Sequence, residues 1–205
     1  MKPPKHTETA ALVLDRLAGW GFPPEVQQRL GALAVVWGVF ETSLESTLWA
    51  LDGDEVKGER PWTDKTSIGV WIEEFGKPRS QFPGEANAVL QEASISASDL
   101  MEYRHSITHG WMLPSSTMPI FVRNPSWNGE QRKRPSHDAH VDANLLDMAI
   151  DSAWTLCQVV LAARDAYHDE KKIPKLLQLR ADLARARSES SELRHLTELM
   201  NSDKY

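Results

Sequence analysis

The chain has 205 residues, 41% of them hydrophobic and eight of them Trp, which suits one globular domain held together by packing rather than by staples. A single cysteine, Cys157, excludes an internal disulfide, and a formal net charge of −6 argues against a general coat for nucleic acid, whose affinity comes from Lys and Arg. No run of about eighteen apolar residues predicts a membrane span, and Met1-Lys2-Pro3-Pro4-Lys5-His6 has no apolar stretch behind it to act as an export signal. The chain therefore reads as cytoplasmic.

Thr7 can cap a short helix through about Leu17, after which Gly19, Gly21, Pro23 and Pro24 break the chain, so residues 1–23 read as a short helix and linker. From Pro24 to Leu51 the residues Leu30, Leu33, Ala34, Trp37, Phe40, Leu44, Leu48 and Leu51 recur every three or four positions. That period predicts a helix of roughly 28 residues and ~40 Å. Glu41 sits on this stripe, where a hydrophobe belongs. Asp52-Gly53-Asp54 ends the helix; Thr63 or Asp64 then caps a short one through Phe75, closed by Gly76, Lys77 and Pro78.

Pro83 opens a long helix through Val89, Leu90, Ala93, Leu100 and Met101 to about His109, with Gly110 and Pro114 as stop signals. Residues 112–140 have no helical period and one β-prone run, Ile120-Phe121-Val122, which predicts a long loop or a small hairpin. Asp142 caps the next helix, whose apolar face runs from Leu145 to Tyr167. Pro174 opens a last one carrying Leu176, Leu177, Leu183, Leu193, Leu196 and Leu199, interrupted by the polar stretch Ser188 to Glu192. This tail is left to dock on the bundle, pair with a second chain or fray. The fold class is all-α, an up-and-down helical bundle with three long helices at its centre.

Arg104 falls on the stripe Leu90, Ala93, Ala97, Leu100, Ile107 and Trp111. Two ionisable groups on two apolar stripes, Glu41 and Arg104, are most simply explained if they meet, because an isolated buried charge is costly. A purely structural pair of this kind would lock the two helices in register. A functional reading adds His109, five residues beyond Arg104. Five residues turn a helix by about 140° and rise ~7.5 Å, so the two converge only where the helix ends, as Gly110 suggests. An imidazole on the rim of a cleft floored by a guanidinium suits proton transfer near neutral pH.

The run Arg104-His105-Ser106-Ile107-Thr108-His109 resembles the signature of HEPN domains: Arg, then Asn, Asp or His, three variable residues and His. The long preceding helices, the polar Glu41 on the first and a Gly directly after the His are similar to that family too. The resemblance covers residues 24–170, which would be a HEPN-like bundle, leaving 171–205 as a C-terminal helix or tail. It implies a metal-independent RNA endonuclease, of toxin or defence type, working as a homodimer whose motif helices face each other across a composite cleft. It further implies that His109 transfers protons, Arg104 binds phosphate and stabilises charge in the transition state, and Glu41 and His105 support them. No cofactor is expected; RNA is the substrate, and a protein antitoxin or regulator is a further class of partner. HEPN toxins controlled by a nucleotidyltransferase antitoxin often carry, two residues after the motif His, a Tyr that is the site of modification; Trp111 stands there in this chain. The alternative is a non-catalytic HEPN-like dimerisation or binding module with a structural Glu–Arg pair.

Arg123 and the run Arg132-Lys133-Arg134 form the best candidate patch for RNA. His105 and His109 have a spacing able to hold zinc, and Glu102-x-x-His105 and Asp165-x-x-His168 echo di-iron bundles. Glu102 lies about 200° from Leu100 on the helical wheel, so it points away from the core, and no inward set of ligands emerges. His137 and His140, near Asp138 and Asp142, read as polar residues beside a helix cap. No metal site is expected.

Overall fold

The computed structural model describes residues 4–54, 61–113, 119–123 and 138–202, with side chains to 197. Its elements are α1 (Lys5–Gly19), α2 (Pro24–Asp52), a 3-10 turn at Trp62–Lys65, α3 (Ile68–Phe75), α4 (Gly84–His109), β1 (Trp111–Leu113), β2 (Ile120–Val122), β3 (Ala139–His140), α5 (Ala143–His168), a 3-10 turn at Glu170–Lys172, α6 (Ile173–Gln178) and α7 (Arg180–Ser202). The chain is mostly helical, as its periodicity predicts.

The long stripe on α2 is the spine of the core. Leu33, Trp37, Phe40, Leu44, Leu48 and Leu51 are all buried, and α2 lies chiefly along α5. Ala34 does not belong to the stripe; it faces solvent. Phe40 and Leu44 of α2, Ile72 and Phe75 of α3, Ala93 and Ala97 of α4, and Leu156 and Val160 of α5 meet around one point, so four helices share a single core. Among the described residues α5 alone has the length and apolar composition to cross a membrane. Thirteen of its 26 residues are buried between its neighbours, which is the pattern of a central core helix. Asp142 caps it as its sequence predicts, its Oδ1 accepting from the Leu145 amide at 2.8 Å.

The segment after residue 170 shares this core: Leu176, Leu183, Ala186 and Leu193 are buried, and α7 packs on α4 and α5. The polar stretch Ser188–Glu192 does not interrupt α7. Ser190 is buried, its Oγ 2.9 Å from Ser96 Oγ on α4, and Ser152 of α5 donates to Glu189 at 3.1 Å. One turn along α4, the Asp99 carboxylate, only 4% exposed, takes Arg187 on one oxygen and Arg194 on the other at 3.0 Å. Those polar residues are the seam between α7 and the bundle.

Between α4 and α5 the chain forms an antiparallel three-stranded sheet in the order β1-β2-β3. Trp111 stands opposite Val122, Leu113 opposite Ile120, and Phe121 opposite both Met112 and Ala139. The β-prone run Ile120–Val122 is its central strand. The sheet closes the end of the bundle at which the Arg104/His109 motif lies.

Candidate active site at the end of the motif helix

The motif occupies the last turns of α4, and three contacts fix where that helix stops. Gly110 has an ordinary extended conformation, φ −79°, so its lack of a side chain serves close approach rather than a left-handed turn. A Cβ there would lie 2.3 Å from the Ser106 carbonyl oxygen and 2.9 Å from Phe121 Cβ, closer than real atoms come. Tyr103, buried at 1% exposure, donates its hydroxyl to the His140 carbonyl at 2.9 Å. Burial pushes the Tyr103 hydroxyl well above its ordinary range, so it remains a protonated donor tying α4 to β3. Arg123 donates from Nη1 to the His105 carbonyl at 3.1 Å and from its backbone amide to the buried Asp138 carboxylate at 3.0 Å. A cation on one of the last carbonyls of a helix complements its dipole.

Arg123 therefore has a structural task at the helix end. Arg132, Lys133, Arg134 and His137 lie outside the described residues.

Glu41 and Arg104 are brought to one place, though not as an ion pair. Among the described residues no ion pair within 4 Å joins them. Glu41 Oε1 accepts from Trp37 Nε1, one turn earlier on α2, at 2.6 Å, and the Arg104 guanidinium lies 6.0 Å from the centroid of the same indole, within cation–π range. Trp37 is almost wholly buried, while Glu41 and Arg104 are each half-buried. The expected direct meeting of the two charges is thus replaced by an indirect one: both reach the boundary of the core, where each keeps some contact with water, and the indole links them. The Arg104 guanidinium makes no hydrogen bond to any described residue, so its N–H donors are uncommitted.

His105 and His109, four apart on α4, have ring centroids 5.6 Å apart at 58°. His105 is half-buried and His109 exposed. Burial lowers the His105 pKa first, and the Arg104, His109 and Arg123 charges lower it further against the opposing Glu102 carboxylate. A neutral His105 imidazole at neutral pH is the result. His109 stands with His105, and Arg104 with Trp37, so the motif presents two adjoining pairs.

Compared with protein-family models, curated proteins and solved structures, the chain shows no match. What the site can do is then a question for its own groups. A neutral imidazole accepts a proton, an exposed second imidazole can exchange one with solvent, and an uncommitted guanidinium offers a planar fork of N–H donors suited to phosphate. Among the described residues no group of three or more His, Cys, Asp or Glu could hold a metal ion.

Trp37 is the member that sequence reasoning missed, because an indole at a core position counts as apolar and its N–H leaves no mark on periodicity. Its spacing of four from Glu41 was the available signal. The buried carboxylates Asp99 and Glu45 were missed as well. Glu45, 6% exposed, accepts from Thr63 at 2.8 Å, and Thr63 also accepts from Trp49 at 2.8 Å.

Proposed function

We propose that the protein is a metal-independent RNA endonuclease of HEPN type, a cytoplasmic toxin or defence nuclease that acts as a homodimer with a composite cleft. The observation that carries this reading is a half-buried guanidinium, Arg104, with no hydrogen-bonding partner among the described residues, beside two imidazoles that differ in burial. A guanidinium at the edge of the core with open N–H donors is placed to meet an anion, and an RNA phosphodiester has the right charge and shape.

RNA cleavage by internal attack needs a base to take the proton of the 2′-hydroxyl, an acid to protonate the departing 5′-oxygen, and positive charge on the phosphorane. The new bond joins the 2′-oxygen to phosphorus and the broken one frees the 5′-oxygen, leaving a 2′,3′-cyclic phosphate. His109, exposed and able to exchange protons, takes the proton-transfer role; a two-fold axis supplies the second His109 as well as the second Arg104. Arg104 holds the phosphate. Glu41 acts through Trp37, fixing the indole on which the guanidinium rests, and His105 gives a neutral polar wall. An antitoxin or other protein regulator would act by covering this end of the bundle.

The competing module reading drew on a structural Glu41–Arg104 pair, and Glu41 is engaged by Trp37 instead. The test is to incubate the protein with RNA and with DNA of the same sequence in excess chelator, alongside His109→Ala with its fold checked by circular dichroism. Cleavage of RNA alone, lost in the variant, supports the nuclease; intact RNA under every condition replaces it with the binding module.

A further inference from the structure

By helical period Trp111 belongs with Leu100 and Ile107 on the inner stripe of α4. The helix stops at His109 instead, and β1 turns the indole outward. Along β1 exposure alternates: Trp111 is 57% exposed and Leu113 41%, while Met112 between them is half-buried. Trp111 is the most exposed tryptophan among the described residues. An indole that the fold leaves in water is a binding surface, with a broad apolar face and a polar N–H at its edge.

Its position relative to the motif is fixed. Gly110, the one residue between His109 and Trp111, leaves no room for a side chain between the Ser106 carbonyl and Phe121, so the sheet is pressed onto the helix end. The register sets Trp111 opposite Val122, and opposite residues of an antiparallel pair share a face. Val122, 6% exposed, is thus a steady neighbour for the indole. On the other face Phe121 meets Phe22 edge-on, with ring centroids 5.7 Å apart. Two residues of chain keep the Cα atoms of His109 and Trp111 within about 7 Å of each other, and both residues are exposed. An imidazole and an indole therefore open at one end of the bundle, beside the guanidinium of Arg104.

We propose that the Trp111 indole is a stacking platform for single-stranded RNA, and that it holds the base of the nucleotide whose 2′-hydroxyl attacks. The inference rests on the nuclease reading of this site and names its substrate more narrowly. A base is borne on C1′ of the ribose, beside the carbon that carries the attacking hydroxyl. A sugar presented to His109 therefore brings its base within reach of a ring two residues along the chain. Aromatic stacking accepts any base, because each has a π-face. In a duplex both faces are taken by the neighbouring bases, and stacking on protein rings is confined to unpaired loops, bulges and ends. The site thus takes unpaired RNA with little sequence preference and rejects a duplex. A chain of formal net charge −6 draws little affinity from phosphates over its general surface, so a stacked base supplies binding that charge does not.

The test uses the full chain and a short DNA strand holding a single ribonucleotide, so that one bond alone can be cut, made with and without the base on that ribose. Trp111→Leu keeps an apolar side chain beside Val122 but has no π-face. It is expected to keep its circular dichroism and Tm and to lower kcat/KM on the base-bearing strand about tenfold to a hundredfold, the range of one base stack. The loss should appear in KM, as for a contact made equally in ground and transition states, and Trp111→Phe should restore most of it. On the strand without the base the wild type should fall to the level of Trp111→Leu, and the substitution should then change nothing. A Trp111→Leu variant that cuts the base-bearing strand as the wild type does overturns the proposal and leaves the indole to a protein partner. An equal loss on both strands overturns it as well. If the wild type cuts neither strand, the nuclease reading falls, and fluorescence anisotropy of the labelled base-bearing strand decides the platform separately. Binding weakened about tenfold or more by Trp111→Leu supports it; equal binding, or none by the wild type, overturns it.

Discussion

Arg104 carries a full charge only partly in water, with an indole face beside it and no carboxylate within 4 Å among the described residues. Its removal should therefore separate function from stability. Arg104→Ala forfeits a cation–π contact of about 0.5–1 kcal/mol, a small change in Tm, and in the nuclease reading it lowers kcat/KM by about 10²–10³, the usual effect of deleting a donor to a developing oxyanion. Trp37→Phe keeps an aromatic ring but removes the pyrrole half of the indole, and with it the N–H to Glu41. It should cost about 1–3 kcal/mol by urea unfolding if the carboxylate finds no new donor, and less in proportion to the water it reaches. Glu41 and Arg104 were legible as charges out of place on apolar stripes. Their connection was not, because it runs through a residue that hydropathy classes as core.

Acid should weaken the fold through two imidazoles. Burial is the first cause lowering the pKa of both His105 and His140 from 6.5, so the unfolded chain binds protons more readily than the folded one. Stability from these groups is complete above about pH 6.5 and falls as pH drops from there through their folded values. Urea unfolding between pH 7.5 and 5 should show this decline, and His105→Gln should flatten it.

Among the elements, α4 stops where it does because β2 presses on its end. Gly110 was legible as a stop signal, but its reason was not: the chain leaves the helix with φ −79°, open to any residue, and it is the close approach of the Ser106 carbonyl and of Phe121 that demands glycine. Gly110→Ala should cost about 1–3 kcal/mol as an overpacking change, read as a fall in Tm, and it should disturb the His105–His109 pair as the sheet moves away. The docking of α7 is the other case. Ser188 to Glu192 reads as a break because polar residues reduce the apolar period, yet Asp99 meets Arg187 and Arg194 across 88 and 95 residues of sequence. No local pattern reveals partners so far apart. Asp99→Ala leaves two guanidiniums without their carboxylate. It should cost about 3 kcal/mol, the low end for a broken buried pair, because both arginines are partly exposed.

At the scale of the whole molecule, the helices and the stripes of α2, α4 and α5 follow from period and punctuation alone, since each long helix must hide one apolar face. The core that those faces make is continuous through α6 and α7, so removing residues 180–205 should abolish a cooperative thermal transition rather than trim a tail. What period could not reveal is the outward apolar side of α2, where Val35 and Val39 are exposed, because a helix apolar all round carries no information about which side is covered. The central claim is that the end of α4 cleaves RNA by attack of its own 2′-hydroxyl, and mass analysis of the product termini in excess chelator tests it most directly. The account predicts a 2′,3′-cyclic phosphate on one fragment and a 5′-hydroxyl on the other, with neither product formed by His109→Ala. Fragments bearing 5′-phosphates, or equal cleavage of a strand with 2′-deoxy sugar at the scissile position, would contradict it.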